Sequence, residues 1–205
     1  MSVDQAGKAV SLEALLKRVR ACTACLNGLP LGPRPLLQAS AGATILIVGQ
    51  APGCRAHETG VPFSDASGDR LREWMGLSRD DFYDDRRVAI VPMGFCYPGR
   101  MASGDAPPRK ECTTLWRAEL LAMLPEVSLT LLLGTYAQNH VLGPGALATR
   151  VRNFRDYLPG YFPLPHPSWR SRLWEERNPW FRQEVIPELR SAIEPARGRE
   201  RPRSL

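Results

Sequence analysis

The stretch ATILIV at residues 43–48 is an uninterrupted apolar run that ends at Gly49. Two further runs of the same kind follow, VAIV at residues 88–91 and SLTLLL at residues 128–133, and each also ends at glycine or proline. Short apolar runs without alternation are typical of strands that are buried on both faces of a parallel sheet. We therefore predict the central strands here, with a last strand that ends at Leu164.

Segments with helical periodicity lie between these runs, at residues 12–20, 68–75, 109–124, 136–142 and 179–193. Alternating strands and helices predict an α/β fold, a three-layer sandwich around a central, mainly parallel four-stranded sheet. Residues 1–194 are expected to form this single domain, followed by a basic, disordered tail at residues 195–205. Ligands of such folds bind beyond the carboxyl ends of the strands, so the loops that follow the runs should carry the chemistry.

Composition suits one globular domain with a polyanionic partner. The chain has 205 residues, of which 43% are hydrophobic, and a formal net charge of +6. Each phosphate neutralised by such a chain releases counterions and adds affinity that is independent of base sequence. No segment approaches the about 18 consecutive apolar residues of a membrane span, and no export signal is visible. We expect a monomeric cytoplasmic protein without a membrane partner.

Two loops at predicted strand ends hold the most informative residues. The first loop reads GQAPG at residues 49–53, where glycines let backbone N–H groups approach a ligand closely. The late loop reads PHPSWR at residues 165–170, and it holds His166 between two prolines that fix its direction. Each loop alone is typical of an ordinary turn.

Together, the two loops resemble the signature motifs of the uracil-DNA glycosylase superfamily, and the match continues through GVPFSDASG at residues 60–68. The resemblance implies a monofunctional DNA repair enzyme that flips uracil out of DNA and hydrolyses its N-glycosidic bond, leaving an abasic site. It implies that Phe63 stacks on the base and that His166 donates a hydrogen bond to uracil O2, with His166 the first catalytic candidate. The first-loop residues expected against the base are Gly49, Gln50 and Ala51.

The late loop is also expected to contact DNA. In the family that it resembles, the turn after the histidine pinches the DNA backbone, and the next side chains wedge into the gap left by the extruded base. The residues that match these roles are Pro167, Ser168, Trp169 and Arg170. Trp169 departs from the proline that is common at its position, and its packing into the core is an alternative.

Three further positions depart from familiar family patterns. Relatives place a carboxylate at the position of Ala51 or of Gln50, so neither familiar water activator is present, although Gln50 stays a catalytic candidate. Asp65 is a candidate replacement for handling water, or it caps the helix that follows. Many relatives carry an asparagine after the second strand, where this chain offers only backbone groups, as at Met93. Alternatives are therefore a damage-binding protein for abasic sites or extruded bases, a glycosylase for another deaminated base, or a structural metal-binding domain.

Four of the five cysteines form two pairs, Cys22 with Cys25 and Cys96 with Cys112. Four thiolates suit either a cubane cluster or tetrahedral zinc, and their chemistry does not separate the two. The spacing resembles that of the iron-sulfur uracil-DNA glycosylases, which implies a [4Fe-4S] cluster rather than zinc. The expected partner is DNA that contains uracil or abasic sites.

Overall fold

The computed structural model describes residues 11–102 and 104–197, and its centre is a parallel sheet of four strands. The strands are β1 (Ile45–Val48), β2 (Val88–Ile90), β3 (Arg100–Met101), β4 (Gly104–Asp105), β5 (Leu129–Leu133) and β6 (Tyr161–Leu164). The central sheet has the order β2-β1-β5-β6 with every pair parallel, while β3 and β4 form a separate antiparallel hairpin. The three apolar runs form β1, β2 and β5, as predicted.

Helices cover both faces of the sheet. They are α1 (Leu12–Arg20), α2 (Cys54–Thr59), α3 (Ala66–Met75), α4 (Arg79–Tyr83), α5 (Lys110–Cys112), α6 (Ala118–Ala122), α7 (Gly134–Leu142), α8 (Leu147–Arg152), α9 (Ser171–Arg177) and α10 (Ile186–Arg197). A π-helical turn joins α5 to α6, and another precedes α10. The second turn lies just before Pro187, which cannot donate the backbone hydrogen bond of a regular helix.

Burial on both faces explains why the strands read as continuous apolar runs. Ile45 and Ile47 face a core cluster that includes Trp74 of α3, whereas Leu46 and Val48 face a cluster that includes Leu15 of α1. Successive side chains of a strand point to opposite faces, so a sheet covered by helices on both sides needs apolar residues throughout. The predicted three-layer sandwich is confirmed.

The predicted boundary between the domain and its basic tail falls inside the last helix. Helix α10 continues to Arg197 and so includes the first residues of the predicted tail, whose remainder, residues 198–205, lies outside the described residues. Within residues 11–102 and 104–197, none of the helices has the length and apolar character needed to cross a membrane.

The strand order places a crevice at the carboxyl edge of the sheet. From β1 the chain continues to β2 on one side, and it later returns to β5 on the other side of β1. Loops that leave β1 and β5 in opposite directions open a gap between them, where open α/β sheets bind their ligands. The first loop leaves β1 at this gap, and the late loop follows β6 nearby.

Candidate active site

A cavity of about 510 Å³ occupies this crevice. Each of the four parallel strands contributes to it through a residue just beyond its carboxyl end, namely Gly49, Pro92, Tyr136 and His166. Most of the predicted site residues line it together: Gly49, Gln50, Ala51, Phe63, Asp65, His166, Ser168, Trp169 and Arg170. Pro167 is buried between the lining residues His166 and Ser168. The cavity has the size of a small-ligand site.

The first loop is held rigidly by hydrogen bonds on both sides. The Met93 N–H donates to the Gly49 carbonyl, and the Gly94 N–H donates to the Gln50 carbonyl, both at 2.9 Å. The Gln50 amide nitrogen donates to the Ala106 carbonyl, also at 2.9 Å. Met93 therefore uses its backbone N–H inside the protein, and its side chain packs in the core, so the structure does not bring the predicted substrate contact Met93 to the cavity.

Phe63 forms the aromatic wall of the cavity through an uncommon backbone conformation. Its φ of +54° lies in the left-handed region, which non-glycine residues rarely adopt. The Tyr83 hydroxyl donates to the Phe63 carbonyl at 3.0 Å, and the Arg72 guanidinium donates to the same oxygen at 3.3 Å. The tip of the Phe63 ring lies 3.5 Å from the point where a Cβ on Gly49 would stand. Strain of this kind persists where neighbouring groups enforce it, and it is common at functional sites.

We expect Gly68→Ala to destabilise the fold, because a Cβ at Gly68 would overlap the backbone carbonyl of Phe63. Backbone atoms cannot rotate away as a side chain can, so the Phe63 segment would have to move. The expected loss is about 2 to 3 kcal/mol of unfolding free energy. Thermal or urea unfolding measures it, with Gly42→Ala as the matched control, since a Cβ there meets its nearest neighbour at an ordinary 3.8 Å. Equal stability of the two variants would contradict the proposed overlap.

Asp65 caps helix α3, as one of the two sequence interpretations predicted. Its Oδ1 accepts a hydrogen bond from the Gly68 N–H at 3.1 Å. The other oxygen, Oδ2, lies 3.9 Å from the point where a Cβ on Gly53 would stand, beside the first loop. The cap fixes Asp65 at the cavity wall, and its predicted part in handling water stays a prediction.

His166 is fixed by the residues around the late loop. The Ser171 hydroxyl donates to the His166 carbonyl, and the Arg70 guanidinium donates to the Ser168 carbonyl at 2.8 Å. Arg70 is itself held by the buried carboxylate of Glu175 at 3.6 Å. Burial lowers the pKa of His166 below its ordinary value, and nearby Asp65 opposes this shift. The imidazole is therefore neutral at pH 7, where one ring nitrogen carries a proton to donate.

Trp169 stands at the rim of the cavity with 76% of its surface exposed. The alternative that it packs into the core is therefore wrong. The Arg170 guanidinium lies 5.3 Å from the centre of its ring and also reaches the backbone of Gly104 in the β3–β4 hairpin. A large exposed aromatic ring beside a cation is suited to stacking on a base next to a phosphate.

Sequence reasoning missed two lining residues, Asp105 and Tyr136. Asp105 reaches the cavity from the β3–β4 hairpin, whose two-residue strands give no periodicity to detect, while Arg100 of the same hairpin was expected from its basic loop to face DNA. Tyr136 lies in the first turn of α7, and its place after the third apolar run was a usable signal, because that run ends at the same edge as the first loop.

The four paired cysteines meet at a second, smaller cavity. Cys22, Cys25, Cys96 and Cys112 all line it, and Cys54 lies elsewhere with an exposed side chain. The Phe95 N–H donates to the Cys112 sulfur, and the Trp116 indole N–H donates to the Cys22 sulfur, both at 3.3 Å. Burial raises the pKa of the Cys96 and Cys112 thiols to about 11.

Four thiolates around one cavity are the donor set of an iron-sulfur cluster or of tetrahedral zinc, and thiolate sulfur accepts N–H hydrogen bonds such as those to Cys22 and Cys112 in either case. Within residues 11–102 and 104–197, no group of three or more His, Cys, Asp or Glu side chains is placed to hold a metal ion.

The fold and the cavity define an α/β sandwich whose ligand site lies at the switch point of a parallel sheet. Residues 38–190 match the model of the Uracil DNA glycosylase superfamily, so the chain belongs to this superfamily. It is 27% identical over 187 residues to a Type-4 uracil-DNA glycosylase of Thermotoga maritima, covering 88% of this chain and 92% of that protein. A solution NMR structure of a candidate uracil DNA glycosylase from Methanosarcina acetivorans matches with a TM-score of 0.44 and 16% identity, over 75% of this chain and 93% of the other.

Proposed function

We propose that this protein is a monofunctional glycosylase that extrudes uracil from DNA and hydrolyses its N-glycosidic bond, leaving an abasic site. The observation that carries the proposal is the convergence of the first loop, Phe63 and His166 on one cavity at the switch point of the sheet. Superfamily membership and the likeness to a Type-4 uracil-DNA glycosylase support it.

The cavity offers a flat base two kinds of contact. The Phe63 ring supplies a face on which a pyrimidine stacks, and Gly49 beside it leaves room because it has no side chain. The neutral imidazole of His166, in the same cavity, supplies a fixed hydrogen-bond donor. When the bond from sugar to base breaks, the departing pyrimidine becomes an anion, and a preorganised donor stabilises that charge.

The rim of the cavity suits DNA. Arg100 and Arg170 place positive charge there, and contacts to phosphates would position the duplex without specifying the base. The exposed Trp169 ring would fill or flank the gap that the extruded base leaves, and this would offset part of the cost of unstacking. With these residues on the late loop and the β3–β4 hairpin, DNA would bind across both elements.

Cys22, Cys25, Cys96 and Cys112 would hold the [4Fe-4S] cluster that the resemblance implies. When bound, the cluster supplies a covalent cross-link between distant parts of the chain. Cys22 and Cys25 follow α1, Cys96 follows β2 and Cys112 ends α5, so the link would pin the segment after α1 against the base of the β3–β4 hairpin. Zinc remains the alternative to be distinguished by iron and sulfide analysis.

The direct test is release of free base from oligonucleotides that carry one uracil, in single strands and opposite guanine or adenine. We expect wild-type protein to release uracil and leave abasic sites that alkali cleaves, with no release from thymine-containing controls. Tight binding to abasic or uracil DNA without any release would instead support a damage-binding protein. Release of hypoxanthine or xanthine alone would reassign the base.

A further inference from the structure

Asp105 is a second carboxylate in the cavity, and the proposed function gives it no role. It ends strand β4 of the hairpin, and its side chain stays accessible to solvent. Its Oδ2 lies 3.7 Å from the point where a Cβ on Gly53 would stand, and the Asp65 Oδ2 lies 3.9 Å from the same point. The two carboxylates therefore border the first loop from two different elements.

The hydrogen bonds distinguish the two carboxylates. Asp65 uses one oxygen to cap α3. Asp105 ends a strand and caps no helix, and its exposed side chain lines the cavity, where it can accept a hydrogen bond from a ligand or from water. A carboxylate that is anchored through its backbone and exposed at a cavity is suited to binding a water molecule.

The first loop itself has no carboxylate, and its only polar side chain is already used. The Gln50 amide donates to the carbonyl of Ala106, the residue after Asp105, at 2.9 Å. A glutamate at this position has no N–H to donate, so only the amide can make this bond. Gln50 thus fixes the hairpin against the first loop, and it holds Asp105 at the cavity.

Charged and titratable groups on every neighbouring element act on Asp105. Burial against the cavity wall raises its pKa, the negative charge of Asp65 raises it further, and Arg100 and Arg170 lower it. Cys54 and Tyr97 also lie near enough to interact with it electrostatically. Because its pKa is raised, Asp105 is a stronger base than an ordinary aspartate.

We propose that Asp105 is the general base of the hydrolysis, taking a proton from the water molecule whose oxygen attacks the sugar carbon C1′. This inference rests on the proposed function. As the C1′–O bond forms, the bond from C1′ to the base breaks, and its electron pair leaves with the base, which His166 stabilises. Asp105 then passes its proton to solvent, so water is the only co-reactant. Asp65 contributes negative charge beside the cationic sugar while it caps α3.

The test compares single-turnover uracil release by wild type, Asp105→Asn and Asp65→Asn. We expect Asp105→Asn to lower the rate at least about 100-fold, the usual range for a lost general base. Its affinity for uracil DNA should stay equal or rise, because the change removes a negative charge near the phosphates. Asp65→Asn keeps a capping side chain and should lower the rate less. Asp156→Asn is the matched control, since Asp156 is exposed in the turn before β6, at the amino edge of the sheet.

The pH profile separates a base from a merely structural residue. The wild-type rate should rise with pH as Asp105 loses its proton. Because the pKa of Asp105 is raised, this rise should fall at a higher pH than for an ordinary aspartate, and Asp105→Asn should lack it. A rate within about threefold of wild type, an unchanged acid limb, or a larger loss in Asp65→Asn would overturn the proposal. Absence of release by the wild type would instead refute the proposed function, which makes the two failures distinguishable.

Discussion

Replacing His166 with alanine is expected to lower single-turnover uracil release at least about 100-fold, and up to about 1000-fold. The loss should fall on the chemical step, because a donor to the departing base acts most strongly when that base carries negative charge. Affinity for uracil DNA should change much less. Comparing the rate under single turnover with the dissociation constant measures both effects.

The size of this effect follows from how rigidly His166 is placed. Pro165 and Pro167 restrict the backbone on both sides, and the Ser171 hydroxyl holds the His166 carbonyl. Gly134 lies behind the side chain, where an added Cβ would stand 3.3 Å from the His166 Cβ. A donor held in this way needs no reorganisation during the reaction, which is the condition under which a single hydrogen bond contributes most.

The matched control is His140→Ala, which removes an exposed imidazole from α7. We expect it to release uracil at the wild-type rate. If His166→Ala also kept the wild-type rate, the cavity would have to stabilise the leaving base through other groups, and the assignment of His166 would fail.

The sequence was sufficient to predict the sheet because this fold buries its strands on both faces. Strand β1 alternates between two different cores, Ile45 and Ile47 on one side and Leu46 and Val48 on the other, so every position is apolar. A run that is apolar at every position does not fit a strand with one face exposed to solvent. The predicted site loops came together for the same reason, since parallel strands bring their carboxyl ends to one edge.

The hairpin and its carboxylate could not be predicted in this way. Strands β3 and β4 have two residues each, and the Gln50 side chain donates to the Ala106 carbonyl beside them from a distant part of the chain. Hydrogen bonds of this range leave no periodic signal. The place of Met93 shows a related limit, because the pairing of its N–H with the Gly49 carbonyl inside the protein leaves no signal in the sequence.

The second large effect is expected for Cys112→Ser, which should abolish the absorbance near about 400 nm of anaerobically purified protein, together with its bound iron and sulfide. Cys112 is buried at the end of α5, and its sulfur accepts the Phe95 N–H in the wall of the cysteine cavity. Serine offers a harder, far less acidic ligand for iron, so the cluster should not assemble on the remaining three thiolates.

Loss of the cluster should also reduce stability, because the segment after α1 would lose its cross-link to Cys96 and Cys112. We expect the free energy of unfolding to fall by about 2 kcal/mol or more, which corresponds to a fall of about 4 to 8 °C in Tm for a chain of this size. Cys54→Ser is the matched control, since its exposed thiol lies outside the cysteine cavity, and it should keep both colour and Tm. A colourless wild type that contains zinc would contradict the cluster. A coloured Cys112→Ser protein would show that Cys112 is not a required ligand.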